Sequence, residues 1–127
     1  MKNNYSVRLL DVIEFSREEA QRLQSSYIGP EHLMLGIIRE GTGKAIQALT
    51  DLHIDGQDLK RKIEKEIKNT NDNSTPNEIS ITQTTERVLR MSMLESRLVK
   101  MKETDSEHLL LAILKEGYNI AAKILNE

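Results

Sequence analysis

Apolar residues recur every three or four positions through most of the chain, and this spacing predicts amphipathic α-helices. The first such run follows Ser6, a residue type whose hydroxyl caps helix N-termini. Because some positions on the apolar face are small, we expect another helix to cross this one at close range. The predicted buried face consists of Leu9, Ile13, Ser16, Ala20 and Leu23.

Three further helices are predicted before residue 69. Pro30 suits the first turn of the second helix, where a proline loses no intrahelical hydrogen bond. This helix is apolar on nearly all sides, which indicates that it is buried between other helices, and the glycines at positions 41 and 43 end it. The third helix has Ala45, Ile46, Leu49 and Leu52 on its apolar face, and the fourth, beginning at Asp55 or Gly56, has Leu59, Ile63 and Ile67.

The chain contains an internal repeat with an offset of 76 positions and no gap. Residues 31–41 return as residues 107–117, including the Glu-His-Leu motif and the final Glu-Gly. Duplication explains the shared charged and apolar positions better than helical composition alone. In the second copy we expect helix N-caps at Thr82 and Ser106. The face that repeats the first helix consists of Val88, Leu89, Met91, Ser92, Ser96 and Val99.

The repeat also predicts the domain organisation. The first unit spans residues 5–68, the second spans 79–127, and residues 69–78, which contain no apolar side chain, form a polar linker. We expect one compact all-α domain built from two pseudo-symmetric repeats of about four short helices. The second unit has no counterpart of the fourth helix, so we expect a chain cut at a domain boundary or slightly before it.

Composition favours an aliphatic helical protein and excludes several function classes. The chain has 127 residues, a net charge of -2, no cysteine and 3% aromatic residues. The lack of cysteine excludes disulfide scaffolds and thiol catalysis and fits a reducing compartment, so we expect a cytoplasmic protein. The balanced charge does not indicate nucleic-acid binding, and no apolar run resembles a signal peptide or a membrane span.

Two motifs resemble chemical sites but fail on spacing. The Gly-Thr-Gly-Lys motif at residues 41–44 lacks the earlier glycine and the following Ser or Thr of a phosphate-binding loop, so it is interpreted as a helix stop and restart. His32 and His108 lack the second histidine of a zinc-protease motif, so we expect no metal site. Each histidine is expected to be partly buried and to brace its helix by donating a ring N–H to a neighbouring loop. No nucleophile–base pair remains, so an enzyme is not expected.

Glu31 and Glu107 have two alternative roles. As structural residues they are first-turn acids that stabilise a helix through its dipole. If the fold brings the helix starts together, so that these glutamates lie near the N-caps Ser6 and Thr82, a carboxylate and free backbone N–H groups would face one small site. Such a site suits a ligand that carries a cation and an anion in one group. The sequence leaves both roles open.

The doubled motif resembles the Clp N-terminal repeat domain, in the form found in ClpC-type AAA+ unfoldases. The similarity rests on residues 28–41 and 106–117, on the opening residues 6–8 and on residues 18–23, and it extends over residues 5–127. The departures are modest. Pro30 stands where the family usually has Thr, Ala112 replaces a second Gly, and the final helix of the family is missing, whereas Ser106 keeps a hydroxyl.

The resemblance implies a non-catalytic domain at the end of a hexameric ATP-driven unfoldase that feeds a Clp peptidase. The implied partners are adaptor proteins and substrate proteins, without a cofactor, nucleic acid or a membrane. In ClpC-type relatives the motif glutamates, together with hydroxyls at the first helix starts, recognise phosphorylated arginine. This implies phosphoarginine or degron sites at Glu31, Glu107, Ser6 and Thr82. Two alternatives stay open: a free-standing Clp-repeat adaptor protein, and a small helical nucleic-acid binder that uses the basic face of residues 60–68.

Overall fold

The computed structural model describes residues 4–70 and 80–126, which form seven helices and two short strands. The predicted all-α fold is confirmed, and the two strands of two residues each are additions that helical periodicity did not predict. The first repeat contains α1 (Val7–Arg22), β1 (Tyr27–Ile28), α2 (Pro30–Glu40), α3 (Gly43–Asp51) and α4 (Gly56–Thr70). The second repeat contains β2 (Ser80–Ile81), α5 (Gln83–Leu98), α6 (Ser106–Glu116) and α7 (Ile120–Leu125).

Helices α2 and α6 supply nearly half of the buried core cluster. Residues 30–38 of α2 are all buried, as predicted from its apolar sequence, whereas α6 buries Leu109, Leu110, Ala112 and Ile113 and leaves Leu111 exposed. One hydrophobic cluster includes side chains of both repeats, so the two units share a single core. Gly41 and Gly117 end the two central helices in the left-handed conformation, with φ of 76° at both, which confirms the predicted helix stop after α2.

The predicted close crossing of α1 by another helix is confirmed at Gly36 of α2. A Cβ atom added to Gly36 would lie 2.4 Å from the Val12 carbonyl oxygen and 2.5 Å from Ser16 Oγ. Ser16 is buried, and its hydroxyl donates to the same Val12 carbonyl oxygen at 2.7 Å. The two helices are therefore so close that only a glycine fits at position 36 without a shift of the backbone.

Some predicted positions are wrong. On α1 the structure buries Val12 and Glu19, which the periodicity did not predict, and leaves Ile13 half-buried. On the second repeat Val99 is exposed, because α5 ends at Leu98 and Val99 only caps it. Helix α4 continues to Thr70, two residues into the predicted linker, and the rest of that linker lies outside the described residues.

The N-cap of α6 is Asp105 and not Ser106. The Asp105 carboxylate accepts a hydrogen bond from the Ser106 backbone N–H at 2.7 Å, so Ser106 is the first residue inside the helix. A carboxylate is as good an N-cap as a serine hydroxyl. The predicted N-caps at Ser6 and Thr82 are confirmed by side-chain hydrogen bonds from the backbone N–H groups of Leu9 and Thr85.

The repeated histidines brace the starts of α2 and α6. Nδ1 of His32 accepts the Gly29 backbone N–H at 2.9 Å, and Nδ1 of His108 accepts the Asp105 backbone N–H at 2.9 Å. Because an accepting Nδ1 carries no proton, the proton of the neutral His32 ring is on Nε2, which donates to Ser25 Oγ at 3.0 Å. The predicted donation to a loop is thus confirmed for His32, but both rings are fully buried and not partly buried as expected.

We expect Gly36→Ala to destabilise the protein by about 1–3 kcal/mol, because the new methyl group must push α1 and α2 apart. Chemical denaturation followed by circular dichroism measures this change. Gly56→Ala is the matched control, since its added Cβ would meet only Ile38 Cγ2 at 3.6 Å. This control should be neutral or stabilising by up to about 1 kcal/mol. Equal unfolding midpoints for the two variants would contradict the close crossing.

We expect the buried His32 ring to stay neutral at pH 6. Burial lowers the pKa of His32 to about 4, an effect that the nearby charge of Glu19 opposes only in part. The unfolded chain takes up a proton near pH 6.5, so His32 lowers the free energy of unfolding as the pH falls from 6.5 towards 4, by up to about 3 kcal/mol. NMR of the ring nitrogens between pH 8 and 4 checks this. A ring that becomes protonated above pH 6 would refute the expectation.

Candidate functional site

Short parallel backbone pairings join each repeat to the other. β1 pairs with β2, with Tyr27 opposite Ser80 and Ile28 opposite Ile81. An isolated parallel bridge between Tyr5 and Thr104 is the equivalent contact. At the repeat offset of 76 positions, Tyr5 corresponds to Ile81 and Thr104 corresponds to Ile28. The first helix of each repeat therefore begins beside the loop that precedes the central helix of the other repeat.

We call these two places the first and second junctions. The first junction contains residues 28–32, at the start of α2, and residues 82–85, at the start of α5. The second junction contains residues 104–108, at the start of α6, and residues 6–9, at the start of α1. Among the predicted site residues, Glu31 and Thr82 belong to the first junction, and Glu107 and Ser6 belong to the second.

Hydrogen bonds to the carbonyl oxygen of Ile28 hold the two segments of the first junction together. The Thr82 backbone N–H donates to it at 3.4 Å, and the buried hydroxyl of Thr85 donates to it at 2.7 Å. The Thr82 hydroxyl accepts the Thr85 backbone N–H at 3.1 Å and lies 2.9 Å from the Thr85 hydroxyl, to which it donates. Thr82 thus caps α5 and fixes the start of that helix against the loop before α2.

The second junction has the same backbone arrangement with different side chains. The Ser6 backbone N–H donates to the Thr104 carbonyl oxygen at 2.9 Å. The Ser6 hydroxyl accepts the Leu9 backbone N–H at 3.0 Å and donates to Asp105 Oδ1 at 2.9 Å. Arg8 adds a guanidinium group, whose Nη1 donates to Asp105 Oδ2 at 2.8 Å. This junction therefore holds an ion pair that its counterpart lacks.

The repeat pattern suggests that each glutamate lies near the first helix of its own repeat. The backbone contacts instead join the two repeats. The start of α5 meets the loop before α2, and the start of α1 meets the loop before α6. The glutamate of each Glu-His-Leu motif consequently shares a junction with the N-cap hydroxyl of the other repeat. The sequence repeat alone does not predict this arrangement, because pairing within each repeat and pairing between the repeats are both compatible with the offset of 76 positions.

Glu31 is a buried carboxylate without a cation. It is 5% exposed, and its Oε2 accepts a hydrogen bond from the Tyr27 hydroxyl at 3.3 Å. Burial raises the pKa of Glu31, and hydrogen bonds from its own backbone N–H and from Tyr27 offset this increase in part. No Lys, Arg or His within the described ranges forms an ion pair with it. A ligand cation would therefore relieve an uncompensated charge.

Glu107 is half-buried and also lacks an ion-pair partner among residues 4–70 and 80–126. Its Oε1 atom is buried without a hydrogen-bond partner, and the same is true of the neighbouring Ser106 hydroxyl. Among the described side chains, the buried oxygens without a hydrogen-bond partner thus both lie in the second junction. Since buried polar groups are normally paired, a ligand at this junction would compensate for missing contacts.

Each junction combines such a carboxylate with the start of a helix of 16 residues. The first-turn backbone N–H groups and the positive end of the helix dipole favour an anion at that point. A carboxylate, by contrast, favours a planar cation such as guanidinium. The arrangement therefore has the elements to bind a ligand that carries both charges within a few ångströms, and it contains no nucleophile–base pair among the described residues.

Other candidate sites are less supported. In the described part of the chain, no group of three or more acidic or histidine side chains is arranged to hold a metal ion. No helix there is long and apolar enough to span a membrane. The basic face of α4 is partly neutralised within the helix, because Asp58 forms ion pairs with Arg61 and Lys62 at 3.4 Å each.

Sequence reasoning missed three residues of the junctions: Tyr27, Arg8 and Asp105. Two of them carry a signal in the repeat alignment. Asp105 occupies the position of Gly29 in the first repeat, and Arg8 occupies the position of Thr84 in the second. A comparison of positions where the two copies differ would have identified them, whereas the motif search considered only positions where the copies agree.

Comparison with known proteins is consistent with this architecture. The Clp repeat (R) N-terminal domain family matches residues 4–127. The chloroplastic chaperone protein ClpC2 of Oryza sativa subsp. japonica is 37% identical over 125 residues, which are 98% of this chain and 14% of that protein. An ATP-dependent Clp protease ATP-binding subunit ClpA homolog of Cyanidium caldarium is 34% identical with the same coverage. The chain thus spans a small part of the length of these relatives.

Solved structures share the fold. The Hsp104 N-terminal domain from Candida albicans superposes with a TM-score of 0.74 at 16% identity, covering 95% of this chain and 88% of that one. The N-terminal domain of the chaperone ClpD from Arabidopsis thaliana gives a TM-score of 0.66 at 21% identity, covering 98% and 96%. Because the family matches from residue 4 to the last residue and the crossed helical repeats superpose on these domains, the chain belongs to the Clp repeat N-terminal domain family.

Proposed function

We propose that this chain is the non-catalytic recognition module of a Clp-type AAA+ unfoldase. In this role it captures adaptor proteins and substrate proteins, and the hexameric unfoldase passes the substrates to a Clp peptidase. The observation that carries the proposal is the pair of carboxylates, Glu31 and Glu107, each placed at a junction between the repeats without a cation to balance it. Recognition of this kind needs a rigid surface with unsatisfied groups and no reaction chemistry.

Phosphorylated arginine is the proposed ligand chemistry. Its guanidinium group pairs with the carboxylate of Glu31 or Glu107, and its phosphoryl group lies against the N-terminus of α5 or α1. Ser6 and Thr82 act at these helix starts. Since their hydroxyls already cap their own helices, they position the first-turn N–H groups that face the phosphoryl oxygens. A plain arginine provides the cation but leaves the helix N-terminus without its anion.

A free-standing Clp-repeat adaptor is the second candidate within the binding proteins. The same two junctions would then bind a degron while another surface contacts the unfoldase. The intact mass of the endogenous protein separates the two: a chain many times longer than 127 residues, with phosphate-loop motifs, supports the unfoldase module. The lack of cysteine agrees with a reducing compartment such as the cytoplasm for either candidate.

Nucleic-acid binding through residues 60–68 is not favoured. The net charge of the chain is -2, and Asp58 neutralises part of the basic face of α4. A protein that binds phosphates through several lysines loses affinity steeply as salt rises. Fluorescence anisotropy with labelled DNA at about 20 mM and about 200 mM salt would reveal such a loss of DNA affinity. We expect no binding at either salt concentration.

The double variant Glu31→Ala, Glu107→Ala should bind free phosphoarginine at least about tenfold more weakly than the wild type, because both guanidinium-binding carboxylates are lost. Isothermal titration calorimetry measures the change. Glu14→Ala is the matched control, since this acid lies on α1 with a side chain 64% exposed and should leave the affinity unchanged. Unphosphorylated arginine serves as the ligand control. Absence of binding to the wild type, or equal binding to the double variant, would rule out the proposed ligand.

A further inference from the structure

The two junctions differ at the residue that caps the central helix. The first repeat has Gly29 at this position, and the second has Asp105 at the equivalent position of the repeat. Gly29 contributes no side chain to the first junction. Asp105 places a carboxylate in the second junction, between the start of α6 and the start of α1. The copies therefore have the same backbone arrangement with different charges at one point.

The Asp105 carboxylate accepts hydrogen bonds from three donors of different kinds. They are the Ser6 hydroxyl at 2.9 Å, the Ser106 backbone N–H at 2.7 Å and the Arg8 guanidinium at 2.8 Å. A hydroxyl, a first-turn backbone N–H and a guanidinium are also the groups that hold a phosphoryl anion in proteins. The Asp105 carboxylate consequently lies where these three donors would hold the phosphoryl group of a ligand in the second junction.

Arg8 is held in place for this contact. Its Nε donates to Thr42 Oγ1 at 3.0 Å, and Glu40 lies 3.7 Å from the same nitrogen. In the same junction the buried Ser106 hydroxyl, 1% exposed, has no hydrogen-bond partner among the described atoms. An incoming phosphoryl group would have to displace Asp105 from its three donors and would meet a like charge at short distance.

At the position of Asp105 the first junction has Gly29, which carries no side chain. The Glu31 carboxylate takes up the space beside it, since a Cβ added to Gly29 would be 2.5 Å from Glu31 Oε1. Thr84 stands where the other repeat has Arg8, so this position of α5 supplies no guanidinium group. The first junction thus presents a carboxylate for a ligand cation and the start of α5, capped by Thr82, for its anion.

We propose that Asp105 is an internal ligand that closes the second junction to phosphorylated guanidinium groups, so that each chain binds one such group, at the first junction. This inference rests on the proposed function, because it concerns the same ligand chemistry. It makes the residue that precedes the Pro-Glu-His or Ser-Glu-His sequence the selector between the two junctions. Glycine leaves the junction open, and aspartate fills it.

Calorimetry with free phosphoarginine tests the stoichiometry. We expect one ligand per wild-type chain, and at least tenfold weaker binding after Glu31→Ala. Asp105→Gly converts the second junction to the residue found in the first, and this variant should bind two ligands. Adding Glu107→Ala to Asp105→Gly should return the number to one. Glycine is an acceptable N-cap, so α6 should persist, and a melting curve by circular dichroism verifies this.

Asp105→Asn provides an independent check that does not depend on glycine. Asparagine still caps α6, and its single Oδ1 can accept the Ser106 N–H, but it removes the negative charge and the oxygen that accepts from Arg8. We expect this variant to gain measurable affinity for a second ligand. Both Asp105 variants would remain with one ligand if the carboxylate had only a structural role, and that outcome would overturn the inference.

The outcomes separate this inference from the proposed function. Two ligands per wild-type chain would overturn the inference and leave phosphoarginine recognition intact. One ligand that persists after Glu31→Ala would also overturn it, because the first junction would then not be the open one. No binding to the wild type or to Asp105→Gly would overturn both proposals together.

Discussion

Backbone hydrogen bonds between the repeats are the constraint on which the rest of this structure depends. Ser6 N–H donates to the Thr104 carbonyl oxygen at 2.9 Å, Thr104 N–H donates to the Asn4 carbonyl oxygen at 2.7 Å, and Thr82 N–H donates to the Ile28 carbonyl oxygen at 3.4 Å. Each bond satisfies a main-chain group at the edge of a helix or loop that packing removes from water. Together they fix where α1 and α5 begin, and thereby which helix start shares a junction with which glutamate.

The buried histidines explain why the motif reads Glu-His in both copies. Consecutive residues of a helix point about 100° apart, so a glutamate that faces the junction places the following side chain inward. There the Nδ1 atoms of His32 and His108 accept the backbone N–H groups of Gly29 and Asp105. An apolar residue would leave these N–H groups unpaired at the start of a buried helix. The junction glutamate and the bracing histidine are thus neighbours for a geometric reason.

The two copies share an ion pair between the first and the central helix but differ in charge at the junctions. An acid on the first helix pairs with a base on the central helix in both repeats, Glu19 with Arg39 and Glu95 with Lys115. The junctions, in contrast, have diverged at the cap of the central helix and at the second residue of the first helix. Side chains in the core are constrained by every neighbour they touch, whereas side chains nearer the surface have fewer such contacts.

Helix positions, the repeat, the buried central helices and the N-caps Ser6 and Thr82 were predictable from the sequence, because periodicity and capping depend on residues within one or two turns. The glutamates were found for the same reason, as repeated first-turn acids. Only the structure of the helix start showed that Asp105, and not the expected Ser106, is the N-cap of α6.

Three features depended on the tertiary structure. Glu19 is buried because Arg22 and Arg39 reach it from α1 and α2 together, although its position in the sequence looks exposed. The crossing of the repeats depends on hydrogen bonds between residues that are 54 positions apart at the first junction and almost a hundred apart at the second. The occupation of one junction by Asp105 follows from that crossing. These features result from long-range packing, in which residues are neighbours only after the chain has folded, and no local pattern records which of them will meet.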